Sequence, residues 1–281
     1  MQQGVGRQYR NPSAIERAVT ASASFAPAWL RRALKGVFAS ALAKLPGDHL
    51  SCRLPGGETF RIDPEFRQLA WNPEEYNALK AAVRPGATVL DIGANVGAYS
   101  LLFATWVGDA GRVYAFEPAP GARAGLARHL ALNGLADRVV VQPEAVSDRI
   151  SLSPFMGAGA SGDNRLLKAK GRGAITVRTV TIDDFCTASG IKPDVIKIDV
   201  EGGELAALRG ARLTITERPA LALFVELHPA VWRALGYSRS DLEQELATQG
   251  LRVDPLPGIA DPWAVEGVCA RVRRIDADPD R

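Results

Sequence analysis

The stretch TVLDIGANVGAYS, Thr88–Ser100, decides how this chain is to be read. Its first half is an apolar run of strand length that ends in an acid. Its second half carries Gly93, Asn95 and Gly97 and runs on into an apolar segment. In an open α/β sheet a ligand sits at the carboxyl end of a strand, where the following helix N-terminus offers free N–H groups. Glycines at such a turn let the backbone approach the ligand closely. The stretch therefore predicts a strand over Thr88–Ile92, a nucleotide-binding turn carrying Asp91, Gly93, Asn95 and Gly97, and a helix from about Gly97. Asn95 has a second reading, as the cap of that helix.

Twenty residues beyond Gly97, VYAFEP places Glu117 at the end of the next strand. A carboxylate there can accept hydrogen bonds from both hydroxyls of a ribose. Spacing and charge then narrow the nucleotide. A dinucleotide needs GxGxxG so that its pyrophosphate can rest on the helix N-terminus, and Gly93-Ala-Asn-Val-Gly97 lacks that spacing. An anion at Asp91 opposes a diphosphate and suits the ammonium and sulfonium of S-adenosylmethionine. VVVQPEAVSD ends the third strand, where an adenine ring would lie, with Glu144 or the backbone at Ala145 to receive its exocyclic amine.

The second dense signal is DVIKIDVEGGE. In an extended strand Lys197 and Asp199 share one face, with Ile196, Ile198 and Val200 on the other. A lysine inside a sheet covered on both sides is costly unless paired. LFVELHP brings Glu226 and His228 to the end of the next strand. If the two strands are neighbours, Lys197, Asp199, Glu201, Glu226 and His228 converge on one pocket, the alternative being a structural ion-pair network. Methyl transfer to oxygen requires donor and acceptor to be aligned and the hydroxyl proton to be taken up. Asp199, Glu226 and His228 are the candidate bases, and His228 has the most suitable ordinary pKa, about 6.5. The expectation is a metal-free site. The alternative is a magnesium ion held by Asp199, Glu201 and Glu226 that lowers the pKa of the alcohol. His49 and His129 are given no role.

Around these motifs the chain alternates strands and helices. Strands are expected at Thr88–Ile92, Val113–Glu117, Val139–Gln142, Val195–Asp199 and Leu221–Leu227, and helices from near Gly97, Pro120, Gly203 and Ser238. Several strands are nearly continuous apolar runs, as in a parallel sheet covered on both faces. Arg149–Phe185 reads as two strands around a loop with five glycines between Pro154 and Ala174, either a mobile lid or a long connection. Trp263–Val272 is expected as an edge strand. Upstream, Asn72 reads as an N-cap, Pro73 suits the first helical position and Glu75 completes a capping box. Residues 49–63 alternate around Pro55-Gly56-Gly57 as a β-hairpin. Residues 27–45 predict an amphipathic helix whose polar face carries Arg31, Arg32, Lys35 and Lys44 without an acid. Such a helix packs on the main domain or lies on an anionic membrane surface. The division expected is an N-terminal extension over 1–70 and a catalytic domain over 71–275.

Composition limits the alternatives. The chain has 281 residues, enough for one sizeable α/β domain and a modest extension. Its 34 basic and 31 acidic residues are dispersed and leave a net charge of +3, which gives no electrostatic case for nucleic acid. Cys52, Cys186 and Cys269 are far apart and form no CxxC, so a reducing, cytoplasmic setting is expected, with possible contact at the inner membrane face through residues 27–45.

Taken in order, NPEEYNALKAAVRPGATVLDIGANVGAYS, VYAFEP, AVSD, TIDDF, IKIDVEGGELAALRGA and FVELHP resemble the FkbM-type family of S-adenosylmethionine-dependent methyltransferases, over about Asn72–Pro229. The resemblance implies a Rossmann-like class I methyltransferase fold: a mostly parallel seven-stranded sheet, helices on both faces and a final antiparallel strand. It implies that Asp91, Gly93, Asn95, Gly97 and Glu117 hold the cofactor, with Asp199, Glu201 and Glu226 at the methyl-transfer side. It implies transfer to a hydroxyl, sugars and polyketide-type natural products being family substrates. The expected function is thus an O-methyltransferase acting on a small-molecule or glycan acceptor, here a sugar hydroxyl. Tailoring of a polyketide-type metabolite shares that chemistry, and an NAD-dependent oxidoreductase is the alternative of a different class. A base amino-methyltransferase would carry (N/D)PP(Y/F/W) where this chain reads DVEG.

Overall fold

The computed structural model describes residues 49–67, 69–157, 159, 164–169 and 171–275. The helix expected over 27–45, and with it the membrane contact, lies outside the described residues, as does part of the glycine-rich loop.

The hairpin forms as β1 (Leu50–Arg53) and β2 (Thr59–Ile62), paired antiparallel. Helix α1 (Pro73–Ala82) leads into the alternating region: β3 (Thr88–Ile92), α2 (Ala98–Val107), β4 (Arg112–Phe116), α3 (Pro120–Leu132) and β5 (Val139–Gln142). Four short strands follow, β6 (Ala145–Val146), β7 (Ser151–Met156), β8 (Arg165–Leu166) and β9 (Ile175–Val180), then α4 (Ile182–Ser189). The chain continues through β10 (Val195–Ile198), α5 (Glu204–Arg209), α6 (Arg212–Glu217) and β11 (Ala222–Leu227). It ends in α7 (Pro229–Leu235), α8 (Arg239–Thr248), β12 (Leu251–Pro255) and β13 (Val268–Arg274).

Seven strands form the main sheet in the order β12-β13-β11-β10-β3-β4-β5. All run the same way except β13, which is antiparallel to both β11 and β12. Period-two alternation splits the core. Val89, Val113, Ala115, Val195 and Phe224 face a cluster built with α1, α2, α3 and the hairpin residues Leu54, Phe60 and Ile62. Leu90, Ile92, Ile196, Ile198, Leu223 and Val225 face a second cluster built with α4 to α8. Each fully buried Val, Leu, Ile or Phe contributes about 1.5–3 kcal/mol, so the two faces together dominate the stability. The chain order reverses beside β3, with β4 on one side and β10 on the other. This is the crevice where such sheets bind ligands.

Two expectations change. The final hydrophobic run is an interior strand, because β12 (LRVDP) lies outside β13 and takes the edge. Arg252, Asp254 and Pro255 break up the apolar signal of β12, and charges and proline are what an edge strand tolerates. The segment after β5 also holds more than two strands: β6, β9, β7 and β8 form a separate four-stranded sheet. Strands of two residues leave no periodicity to read. No helix among the described residues is long and apolar enough to cross a membrane.

Candidate active site

The turn after β3 is shaped by backbone. Gly93 has φ +87°, and a Cβ there would stand 1.7 Å from the Asp199 carbonyl oxygen. Its N–H and that of Ala94 both donate to the Phe116 carbonyl, each at 2.9 Å. Gly93→Ala is therefore expected to unfold or severely destabilise the protein, by about 3 kcal/mol or more in thermal denaturation. Gly97 is the residue that starts α2, in the left-handed conformation with φ +94°, and a Cβ there would meet Leu126. Asn95 does not cap that helix, which has no side-chain cap. Among the described residues it is instead the non-glycine residue with positive φ, +47°, and its Oδ1 is buried without a hydrogen-bond partner there.

Glu117 follows β4 directly. Its carboxylate accepts from the backbone N–H of Asn95 at 2.8 Å and of Ala119 at 2.7 Å, which fixes it beside the glycine turn. Burial lifts its carboxyl from 4.5 to about 7, against the pull of those two N–H groups and Arg123. Asp91 is buried deeper, 2.5 Å from Ser100 Oγ. Burial raises it to about 6, with Lys197 and Ser100 opposing.

The strand-end cluster assembles as the alternation requires. Lys197 lies opposite Asp91 on one side and Phe224 on the other. Its ammonium is 1 % exposed and reaches Asp199 Oδ2 at 2.8 Å, Glu75 Oε1 at 3.3 Å and Glu226 Oε2 at 3.6 Å. It also lies 4.5 Å from the centre of the Tyr99 ring. Burial alone would discharge the lysine, yet Asp199, Glu75 and Glu226 outweigh it and hold its pKa above the ordinary value. Asp199 is held below the ordinary carboxylate range: burial opposes this, but Lys197 and His228 prevail. Burial and the neighbouring Asp199 push Glu226 well up. His228 presents Nε2 to Glu201 and Glu226 at 3.7 Å each and to Asp199 at 4.0 Å. Among the described residues, Asp199, Glu226 and His228 are the trio whose ligand atoms come within 4.8 Å of one another, a different set from the magnesium alternative named above.

Two cavities meet here. The larger, about 710 Å3, is bordered by Gly93, Asn95, Glu117, Glu144, Ala145, Asp199, Glu201 and Glu226, within the range of small-molecule sites. The smaller, about 260 Å3, adds Glu75, Asp91, Tyr99 and Lys197. Gly97 and His228 border neither, and His228 stands behind the carboxylates. Glu144 is also 3.5 Å from Arg178. The far wall of the larger cavity comes from the second sheet, with Ser151, Ser153 and Phe155 of β7.

Sequence reasoning missed two residues. Glu75 does not close a capping box. Asn72 accepts from the N–H of Glu74 and Glu75, while the Glu75 carboxylate turns inward to Tyr99 Oη at 2.6 Å and to Lys197. A lysine expected to need partners was the available signal. The other is Glu204, fully buried behind His228. His129 is buried with Nδ1 2.7 Å from the Val96 carbonyl.

Comparison with known proteins bears on this geometry. A family model described as the methyltransferase FkbM domain matches residues 91–253. Hexuronic acid methyltransferase AglP of Haloferax volcanii is 30% identical over 152 residues, which cover 50% of this chain and 56% of that protein. The match thus spans little more than half of that relative's length. Methyltransferase FkbM from Methylobacillus flagellatus is similar at 22% identity and a TM-score of 0.43, covering 72% of this chain and 50% of the other. Fibrillarin of Aeropyrum pernix, solved with S-adenosyl-L-methionine, is similar at 15% identity and a TM-score of 0.45, covering 82% and 84%. With the family model matching from Asp91 in β3 into β12, over more than half of the chain, the chain belongs to the FkbM methyltransferase family.

Proposed function

We propose that this methyltransferase takes its methyl group from S-adenosylmethionine and transfers it to a hydroxyl of a sugar or glycan. The observation that carries the cofactor is Glu117, a carboxylate fixed by two backbone N–H groups at the mouth of the turn where a nucleoside would lie. Further support comes from Asn95, whose Oδ1 is buried without a hydrogen-bond partner among the described residues, and from Gly93, which borders both cavities. In this reading Glu117 accepts from the ribose hydroxyls, Glu144 and the Ala145 backbone border the adenine, and Asp91 with Asn95 favours the cationic amino-acid end. Gly97 acts through the backbone, by starting α2.

When bound, the cofactor supplies an electrophilic methyl, so that an O–C bond forms at the acceptor as the C–S bond breaks and its electron pair stays on sulfur. The chain's residues align the acceptor and take its proton. Asp199 is the base in this proposal, because Lys197 and His228 keep it ionised. His228, preferred on its ordinary pKa, is held at about 9 by its surroundings and is already protonated at neutral pH. Lys197 gives the carboxylates an internal counter-cation, which favours a site working without metal. A sugar acceptor is supported by the hydroxyls of Ser151 and Ser153 on the cavity wall and by the relative named for hexuronic acid.

Calorimetry tests the cofactor. S-adenosylmethionine and S-adenosylhomocysteine should bind and NAD should not; binding of NAD alone would overturn the reading. For the acceptor, methyl-labelled cofactor and a uronate-containing oligosaccharide should give label that survives mild base, as an ether does. Base-labile label would mean transfer to a carboxylate and exclude the hydroxyl.

A further inference from the structure

Strand β7 has two unlike faces. Ser151, Ser153 and Phe155 border the cavity, and Phe155 is buried, as are Val177 and Thr179 of the neighbouring β9. The alternate positions of β7 point the other way. A sheet packed on one side normally turns polar residues outward. Here Leu152 is 76 % exposed and Met156 40 %, and Ile150, at the lead-in to the strand, is 53 % exposed. These are three of the seven large apolar side chains that stand exposed among the described residues, and they follow one strand. Strand pairing sets cations beside them. Arg178 of β9 is the partner of Leu152 and Arg165 of β8 the partner of Met156, and directly opposed residues share a face. Arg149 and Arg178 pair with Asp148 and Glu144, and each arginine is far more exposed than its acid. Exposed Arg149 also borders the cavity, which puts this face next to its opening. Residues 149–178 hold six basic residues against one acid, an excess larger than the +3 of the whole chain.

We infer that the outer face of β7, Ile150, Leu152 and Met156 with Arg149, Arg165 and Arg178 around them, docks on a bilayer rich in anionic lipid. Exposed apolar side chains of this size enter the boundary between headgroups and acyl chains. Guanidinium groups beside them pair with lipid phosphates. The charge excess selects an anionic surface over a neutral one. A second copy of the chain is the poorer occupant, because a two-fold contact brings this patch against itself and sets arginine against arginine. The face is separate from the contact expected of residues 27–45. The inference goes beyond the methyl-transfer reading and does not rest on it. Where both hold, the strand seated on lipid is the one whose other face borders the acceptor, so a lipid-carried sugar enters the cavity beside the bilayer.

Sedimentation of the full-length protein with vesicles tests this. Vesicles of equimolar phosphatidylcholine and phosphatidylglycerol should bind it about tenfold more strongly than phosphatidylcholine alone, and high salt should release it. Leu152→Asp, which places an acid where the apolar ridge is most exposed, should lower that partition about tenfold or more, and Arg178→Gln about fivefold. Equal binding of the wild type to both vesicles, or to neither, would overturn the inference. So would anionic vesicles that hold both variants as tightly as the wild type, since the contact would then lie elsewhere in the chain, as on residues 27–45. A wild-type dimer in velocity sedimentation that Leu152→Asp dissociates would make the occupant a second copy and overturn the bilayer. S-adenosylmethionine calorimetry on the same samples keeps the readings apart. Absent binding by the wild type sinks the cofactor assignment and leaves the lipid face standing, whereas normal binding without vesicle association sinks only the lipid face.

Discussion

Glu117→Ala is expected to weaken S-adenosylmethionine binding at least a hundredfold in calorimetry, and Glu117→Gln to make the protein more stable than wild type at pH 8.5. The first effect follows from losing two hydrogen bonds to a charged acceptor, each worth about 1.5–3 kcal/mol. The second follows from the sign of the pKa shift. The Glu117 carboxyl titrates near 7 in the folded protein against 4.5 ordinarily, so the unfolded chain gives up this proton more easily than the folded one. Ionised Glu117 therefore costs stability: the deficit opens as pH rises past about 4.5 and is complete above about 7. The two limits correspond to roughly 3 kcal/mol. Glutamine escapes that cost but loses one of the two backbone N–H bonds, about 1 kcal/mol, leaving a net gain of roughly 1–2 kcal/mol. Denaturation of both proteins at pH 5 and pH 8.5 isolates the group. If the difference between them does not change with pH, burial is not what perturbs Glu117.

Lys197→Met should cost about 3–5 kcal/mol in urea denaturation, among the largest effects of any single change in the sheet. Methionine fills the volume, so packing is not the cause. The substitution leaves Glu75, Asp199 and Glu226 around a site 1 % exposed without their common cation, and removing one member of a buried charge set has that magnitude. Adding Glu75→Gln to Lys197→Met should recover part of the loss, because one orphaned charge is neutralised. A loss below about 1 kcal/mol would mean that water already solvates the cluster, and the same result would weaken the case for Lys197 as its counter-ion.

How far the sequence anticipated these features depended on how local the signal was. TVLDI, VVVQ and the helix beginning at Pro120 were legible because hydrophobic period and turn chemistry agree within a few residues. Asp91, Glu117, Lys197 and Asp199 were legible because charge sat where an apolar strand should not carry it. Glu75 was misread because its local setting, three residues after an N-cap, satisfies a capping rule, whereas its partner lies on a strand far along the chain. Glu204 looks like an ordinary first-turn helical acid until the fold sets His228 against it. The preference for His228 as the base used an isolated imidazole's pKa. Three carboxylates brought around it only by tertiary structure, Glu204, Asp199 and Glu201, raise that pKa to about 9 against the effect of burial. Half of the second sheet was legible as the two strands around the glycine-rich loop, β7 and β9, whereas β6 and β8 were not, because strands of two residues are defined by what they pair with.

That second sheet leaves and rejoins the chain at one place. Ala145 pairs with Thr179 and Val146 with Val180, and the Ser147 N–H donates to the Val180 carbonyl at 2.9 Å. The ends of the excursion are thus latched to each other whatever lies between them. Lengthening a loop whose ends are already held costs little, about 0.6 kcal/mol per doubling. The segment between Asp148 and Arg178 is therefore a cassette. Under the proposed function, a change in its length is expected to leave Asp91, Glu117 and Asp199 where they are and to alter the cavity wall that Ser151, Ser153 and Phe155 form.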